Sequence, residues 1–259
     1  MLELKNPHSV LAAIQSRPHD VTEIRLATDS PSGAWEEVVE LAERHRIPVY
    51  HVRENNRGGG GGRRSKNADQ KSERVGIASA MVKENSGVDL SHLLRTANAP
   101  TSNADSDSEN SHPGLWLALD CLQDPHNVGA VIRTAGFFGV KGVVLTKDRS
   151  APLNSTVYDV AAGGMEAVPF AVVQNLSRTL DIAKKNGLWL LGTSEHAKDD
   201  ITEIHADRPW LLILGNEEKG LRRLTQETCD VLCGIKGQGS VTSLNVSVAA
   251  AVCIAQLTR

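Results

Sequence analysis

Between residues 114 and 259 the chain repeats one pattern: short apolar runs at 115–119, 143–146, 168–172, 188–192, 211–214 and 231–235. Stretches with helical spacing, 128–138, 176–185 and 244–257, lie between runs or follow the last one. A strand with apolar residues in every position is buried on both faces, and parallel neighbours need a crossover, most often a helix. The pattern therefore predicts an α/β fold, a mainly parallel sheet covered by helices. Ligands of such sheets sit outside the carboxyl ends of the strands. The polar residues just after each run are thus the first candidates for a site.

The preceding part has a different texture. Residues 1–95 read as a small α/β unit, with helices expected at 7–15 and 35–46 and strands at 21–27, 48–52 and 75–81. Glu36, Glu37, Glu40 and Glu43 fall on one side of the second helix, as a solvated acidic face. Residues 57–71 form an insertion containing five consecutive glycines, Gly58 to Gly62. Such a run cannot hold a helix or strand cheaply. A phosphate-cradling loop needs Gly-Lys-Ser/Thr, but Arg63 and Arg64 follow these glycines. The stretch 96–113, rich in Ser, Asn and Asp, reads as a linker to the domain at 114–259. That domain is expected to fold by itself from Pro113 onward.

Composition narrows the function. With 40% hydrophobic residues and a net charge of −3, the chain can build a core and is not a globally basic nucleic-acid binder. RNA would have to meet local clusters, for which Arg63, Arg64, Lys66, Arg149, Arg222 and Arg223 are candidates. No apolar run is long enough to cross a membrane, and nothing before Lys5 resembles a cleaved signal. Cys121, Cys229, Cys233 and Cys253 are too few for a disulfide framework and lack metal-ligand spacing, so reduced cysteines and no metal are expected.

Three clusters stand where the chemistry should be. The first runs from Asp120 through Asp124-Pro-His-Asn127 to Arg133. Asn127 can cap the next helix, or do more; Arg133 is either a surface arginine or a functional one. The second is Gly215-Asn-Glu217-Glu-Lys-Gly220-Leu. Gly215 lets a ligand or backbone approach closely, and Glu217 can accept hydrogen bonds from a substrate or cap a turn. The third leads from Ile235 through a glycine-rich loop to Ser243-Leu244-Asn245-Val-Ser. It binds something polar or is an ordinary start to an alanine-rich helix.

In this order and at these distances, the clusters resemble the motifs of the SpoU (TrmH-type) RNA ribose 2′-O-methyltransferases. The first resembles the family's asparagine-glycine-arginine motif, the second its Gly-x-Glu-x-x-Gly-Leu, the third its Ser-Leu-Asn-Val-Ser. The stretches Lys147-Asp-Arg-Ser-Ala-Pro-Leu-Asn154 and Arg222-Arg-Leu-Thr-Gln-Glu-Thr-Cys229 look like the bacterial branch that methylates a guanosine of large-subunit (23S-type) ribosomal RNA. The opening Asn6-Pro-His-Ser-Val-Leu-Ala-Ala13 is similar to that branch's small RNA substrate-binding domain. Where relatives carry His-Gln-Gly, this chain has Glu73-Arg-Val-Gly76.

The resemblance implies a SPOUT-type α/β domain with a C-terminal trefoil knot and a homodimer built on it. It implies S-adenosylmethionine as cofactor, with Thr193, Gly215, Ile235, Leu244 and Asn245 binding it and Ile235 and Leu244 sandwiching the adenine ring. Arg133 is implied as the residue that helps remove the 2′-hydroxyl proton. Arginine as a rule stays protonated. Either a neutral guanidine becomes accessible, or Arg133 positions the phosphate and stabilises charge while another group accepts the proton. Asn127, Glu217, Ser243 and Asn245 complete the implied catalytic set. Two other readings share the fold: a transfer-RNA 2′-O-methyltransferase and a catalytically silent RNA-binding module. The absence of a basic tail after Arg259 points toward ribosomal RNA. A bacterial cytoplasm is the expected compartment, a mitochondrial relative stripped of its presequence the alternative.

Overall fold

The structure is a computed structural model and describes residues 1–27, 31–52, 78–95 and 113–259. The glycine-rich insertion and residues 96–112 of the linker lie outside the described residues, as do Glu73 to Gly76. The chain divides into two compact units, Met1–Asn85 and Ser86–Arg259.

Among the described residues, the first unit is a four-stranded sheet with two α-helices and a short 3-10 turn at Pro18–Asp20. Its elements are β1 (Leu2–Leu4), α1 (Pro7–Ser16), β2 (Val21–Leu26), α2 (Ala34–Arg44), β3 (Val49–His51) and β4 (Ala78–Val82). The strand order is β1-β4-β2-β3, with β2 and β3 parallel and the other pairs antiparallel. α1 starts where it does because Asn6 Oδ1 accepts the His8 N–H at 3.0 Å and Pro7 fills the first helical position. Val10, Ala13 and Ile14 of α1, Val38 and Ala42 of α2, and Leu4, Ile24, Ala80 and Val82 of the sheet form a buried core. The four glutamates of α2 are exposed, as its pattern predicts.

The second unit contains α3 (Leu90–Arg95), β5 (Leu115–Leu119), α4 (Pro125–Phe137), β6 (Gly142–Thr146), α5 (Ser155–Ala161), α6 (Gly164–Ala167) and β7 (Phe170–Val173). It continues through α7 (Leu176–Lys185), β8 (Trp189–Thr193), β9 (Asp199–Asp200), β10 (Trp210–Leu214), α8 (Arg223–Thr228), β11 (Val231–Gly234) and α9 (Val246–Leu257). The strands pair in the order β7-β6-β5-β10-β8-β11-β9, every pair parallel.

Successive residues of a strand point to opposite faces. Trp116, Ala118, Val144, Leu190, Leu211 and Ile213 meet Leu93 and Leu94 of α3 and Leu176, Leu180 and Ala183 of α7 on one face. The alternate residues, among them Leu117, Val143 and Leu212, are equally buried. They require a second helical layer, in which α4 packs with α5, α6 and α9. α3 falls in this second unit rather than the first, contrary to the boundary expected after residue 95. Its two leucines fill the core, and Trp116 Nε1 donates to the Leu93 carbonyl at 3.2 Å.

From β5 the chain builds outward through β6 to β7, whereas β8, β10 and β11 lie on the other side of β5. The boundary between β5 and β10 is therefore a topological switch point, where parallel sheets open a crevice at their carboxyl ends.

Candidate active site

The three clusters meet at this switch point. β5 hands over to the first, β10 to the second and β11 to the third. Asn127 does not cap α4. Asp124 does so, its Oδ1 accepting the His126 N–H at 2.9 Å, with Pro125 at the first helical position. Proline needs no N–H partner there and moves the helix start upstream of Asn127. Asn127 then lies within the first turn, buried, with its amide available for longer contacts.

Both ends of that amide are used. Asn127 Nδ2 donates to Glu217 Oε1 at 3.1 Å. Asn127 Oδ1 accepts from Asn245 Nδ2 at 3.0 Å. Asn245 caps α9 with its own oxygen, which accepts the Ser247 N–H at 2.8 Å and the Ser247 hydroxyl at 2.6 Å. One chain of hydrogen bonds thus joins residues of all three clusters. A polar chain of this kind is rigid only when every member is satisfied, and no buried side-chain polar atom lacks a partner among the described residues.

The glycine that precedes Glu217 has a definite task. A Cβ on Gly215 would collide with the backbone of Gly220 and Leu221. Asn216 N–H donates to Gly220 O at 3.1 Å and Gly220 N–H to Asn216 O at 2.9 Å, which closes the loop at the tip of β10. Close approach at Gly215 is therefore by the protein's own backbone.

The expected cofactor residues sit around adjacent strand ends. Thr193 ends β8, Gly215 follows β10 and Ile235 follows β11, and β8 pairs with both other strands. Thr193 Oγ1 donates to Ile213 O at 3.2 Å, so its hydroxyl ties β8 to β10. Leu244 is 50% exposed. Residues 237–244 make no hydrogen bond to any described residue. Ahead of this loop, Asp200 Oδ2 accepts the Lys236 N–H at 2.9 Å. Bonds from Thr202 and Lys236 hold the Asp200 carboxyl down at about 2. Apolar Ile235 and Leu244 flank unpaired backbone here, a donor set that suits a flat base with a polar edge.

Arg133 and Ser243 are not drawn into the network. Arg133 is exposed on α4, and its side chain makes no ion pair or hydrogen bond with a described residue. Its backbone is fixed from behind, since Gly164 brings α6 against Ile132 and Arg133 where a Cβ would clash. Two other arginines among the candidate RNA contacts have partners within the protein. Arg222 Nη2 and Nε grip Asp120 at 2.7 and 3.1 Å, and Arg223 pairs with Glu227. Neither is an unengaged phosphate ligand. Asp120, 1% exposed, also accepts from Thr225 Oγ1 at 3.2 Å. Residue types alone did not single out Asp120, Asn216 and Ser247, although each lies inside a quoted cluster. Among the described residues no group of histidines, cysteines and carboxylates could hold a metal ion.

The model of the SpoU rRNA Methylase family matches residues 114–255. The chain belongs to the SpoU family. A SpoU relative from Nitrosomonas europaea, the 23S rRNA (guanosine-2'-O-)-methyltransferase RlmB, is 47% identical over 149 residues. That match covers 58% of this chain and 57% of the relative. The RlmB of Pseudomonas putida is 35% identical over 254 residues, 97% of this chain and 94% of that one. Among solved structures, the SpoU methyltransferase AviRb from Streptomyces viridochromogenes, in complex with the cofactor AdoMet, aligns with a TM-score of 0.73. It covers 99% of this chain and 88% of that chain at 19% identity, a likeness of fold.

Proposed function

We propose that this SpoU protein transfers a methyl group from S-adenosylmethionine to the ribose 2′-hydroxyl of a guanosine in 23S-type ribosomal RNA. The observation that carries the reading is the chain Glu217–Asn127–Asn245, which joins the three motifs at the sheet's switch point. The RlmB relatives, similar along almost the whole chain in one case, supply the substrate class.

S-adenosylmethionine supplies a methyl group on a sulfonium, a strong electrophile. The protein's task is to align that methyl with the ribose oxygen, which accounts for much of the acceleration. Ile235 and Leu244 take the adenine ring, and the open backbone of residues 237–244 reads its edge. Asn127, held between Glu217 and Asn245, fixes the start of α4. Arg133, farther along that helix, presents a planar five-donor fork to the RNA phosphate and ribose. It stabilises the charge that develops as the hydroxyl proton leaves. Ser243 orients the methionine part of the cofactor.

The working molecule is a homodimer with a C-terminal trefoil knot. In support, Val248 and Val252 stand four residues apart on α9 with 49% and 40% exposure, an apolar stripe that a second copy covers. Its compartment is the cytoplasm, in keeping with four free cysteines. The test is to map 2′-O-methyl positions in ribosomal RNA from cells with and without the protein. Loss of one guanosine methylation supports the reading, and an unchanged map with a changed transfer-RNA map overturns it.

A further inference from the structure

The loop carrying Glu217 is fastened at both ends to the turn after β5. On one side, Asn216 Nδ2 donates to the Cys121 carbonyl at 3.0 Å and to Glu217 Oε2 at 3.2 Å. On the other, Arg222 and Thr225 bind the buried carboxylate of Asp120. Between the two fastenings, Cys121 adopts a left-handed backbone with φ of 62°. A side-chain-bearing residue keeps that conformation only where its surroundings impose it. Here the Cys121 N–H donates to Thr146 Oγ1 at 3.0 Å, and Asn216 holds its carbonyl.

The two ends of the Asn216 amide do separate jobs. Its oxygen accepts the Glu218 and Lys219 N–H groups, each at 3.1 Å, and so shapes the loop. Its nitrogen reaches Glu217 Oε2, leaving Oε1 for Asn127. A carboxylate held at both oxygens has one orientation, and Asn127 and Asn245 inherit it.

We infer that Asn216 is a positioning residue of the methyl-transfer site, whose side-chain nitrogen aims Glu217 at Asn127 and locks the turn after β5. The inference rests on the methyl-transfer reading above. It reaches the reacting atoms only through other residues, so its test must separate aiming from folding. Asn216→Asp does this, because it keeps the loop-shaping oxygen and replaces the donor by an acceptor. The charged and titratable groups facing that position are Glu217, Glu218 and Lys219 on its own loop, Asp120 and Cys121 after β5, and Arg222 beside α8.

The experiment compares the full-length native chain and Asn216→Asp in methyl transfer to 23S ribosomal RNA, in S-adenosylmethionine binding by calorimetry, and in side-chain amide NMR of the cofactor-free protein. Losing one hydrogen bond to a charged group should lower kcat about tenfold to a hundredfold. Cofactor affinity should stay within about threefold, a difference too small to equal one such bond. The Glu217 carboxylate facing the new Asp raises its pKa above the usual value of about 3.9, so the deficit relative to the native chain should shrink as pH falls from about 8 into the range where that carboxyl takes up a proton and regains an O–H donor. The Asn127 and Asn245 amide signals should shift. Native kcat in the variant with unmoved amide signals would overturn the inference. So would a pH-independent loss that simply tracks lowered stability. If the native chain itself transfers no methyl group, the functional reading fails instead, and the amide signals still decide whether Asn216 aims Glu217.

Discussion

Asn127 donates its side-chain amide to Glu217 Oε1 across 3.1 Å, joining residues 90 positions apart in sequence. Removing this contact leaves one partner without its bond. Asn127→Ala should therefore cost about 1–3 kcal/mol of unfolding free energy, measured by chemical denaturation. Asn127→Asp should cost at least as much at neutral pH, because it sets a second carboxylate against Glu217. Native stability in both variants would show that the network is not formed in solution.

Arg133→Ala should abolish methyl transfer while leaving S-adenosylmethionine affinity within a few-fold, since Arg133 is exposed on α4 and tied to nothing described. Arg133→Lys should fail as well, because an ammonium lacks the planar fork. Single-turnover kinetics with saturating RNA checks both. Substantial activity in either variant removes Arg133 from the centre of the reaction.

Arg222 holds a structural contact with Asp120. Arg222→Ala strands the buried carboxylate of Asp120 and should cost roughly 1–3 kcal/mol, a value discounted because Arg222 is half exposed. The slope of RNA affinity against salt should not change, since no phosphate contact is lost. A flatter slope by about one unit would return Arg222 to the RNA interface.

The division between the units moves the expected minimal fragment. A chain beginning at Pro113 lacks α3, whose Leu93 and Leu94 are 2% and 0% exposed. Each buried leucine contributes about 1.5–3 kcal/mol. The fragment of residues 86–259 should therefore unfold at clearly higher denaturant concentration than that of residues 113–259. Equal midpoints would show that α3 adds nothing to the second unit.

The thiols should be slow to alkylate in the folded protein. Burial pushes the Cys229 thiol up to about 12, with Asp230 adding to it, and burial beside Asp120 raises Cys121. The thiolate is the reactive form. Iodoacetamide at neutral pH should modify these two only after unfolding, as followed by mass spectrometry. Rapid modification of the native chain would contradict their packing.

The large parallel sheet was legible because strands buried on both faces announce themselves as unbroken apolar runs. β1 was not, since three residues carry no period and its antiparallel partner β4 lies far along the chain. α3 is not legible for a related reason: six residues beside a polar stretch carry too short a pattern, and what distinguishes them is the packing of Leu93 and Leu94 in the core beside Trp116. Asn127, Glu217 and Asn245 were visible as residue types, but their hydrogen bonds span 90 and 118 positions. Of the two readings open for Asn127, cap or more, the cap falls away because Asp124 and Pro125 set the helix start upstream of it. Gly215 admits a ligand or the chain's own backbone in sequence, and only the folded loop shows that Gly220 and Leu221 stand where its Cβ would be.

The most direct test of the account is nucleoside mass spectrometry of 23S ribosomal RNA lacking the modification, incubated with the purified protein and S-adenosylmethionine carrying a labelled methyl group. The account predicts one labelled nucleoside, 2′-O-methylguanosine, with native protein and none with Arg133→Ala. Label on a base, or no label with the native chain, would contradict it.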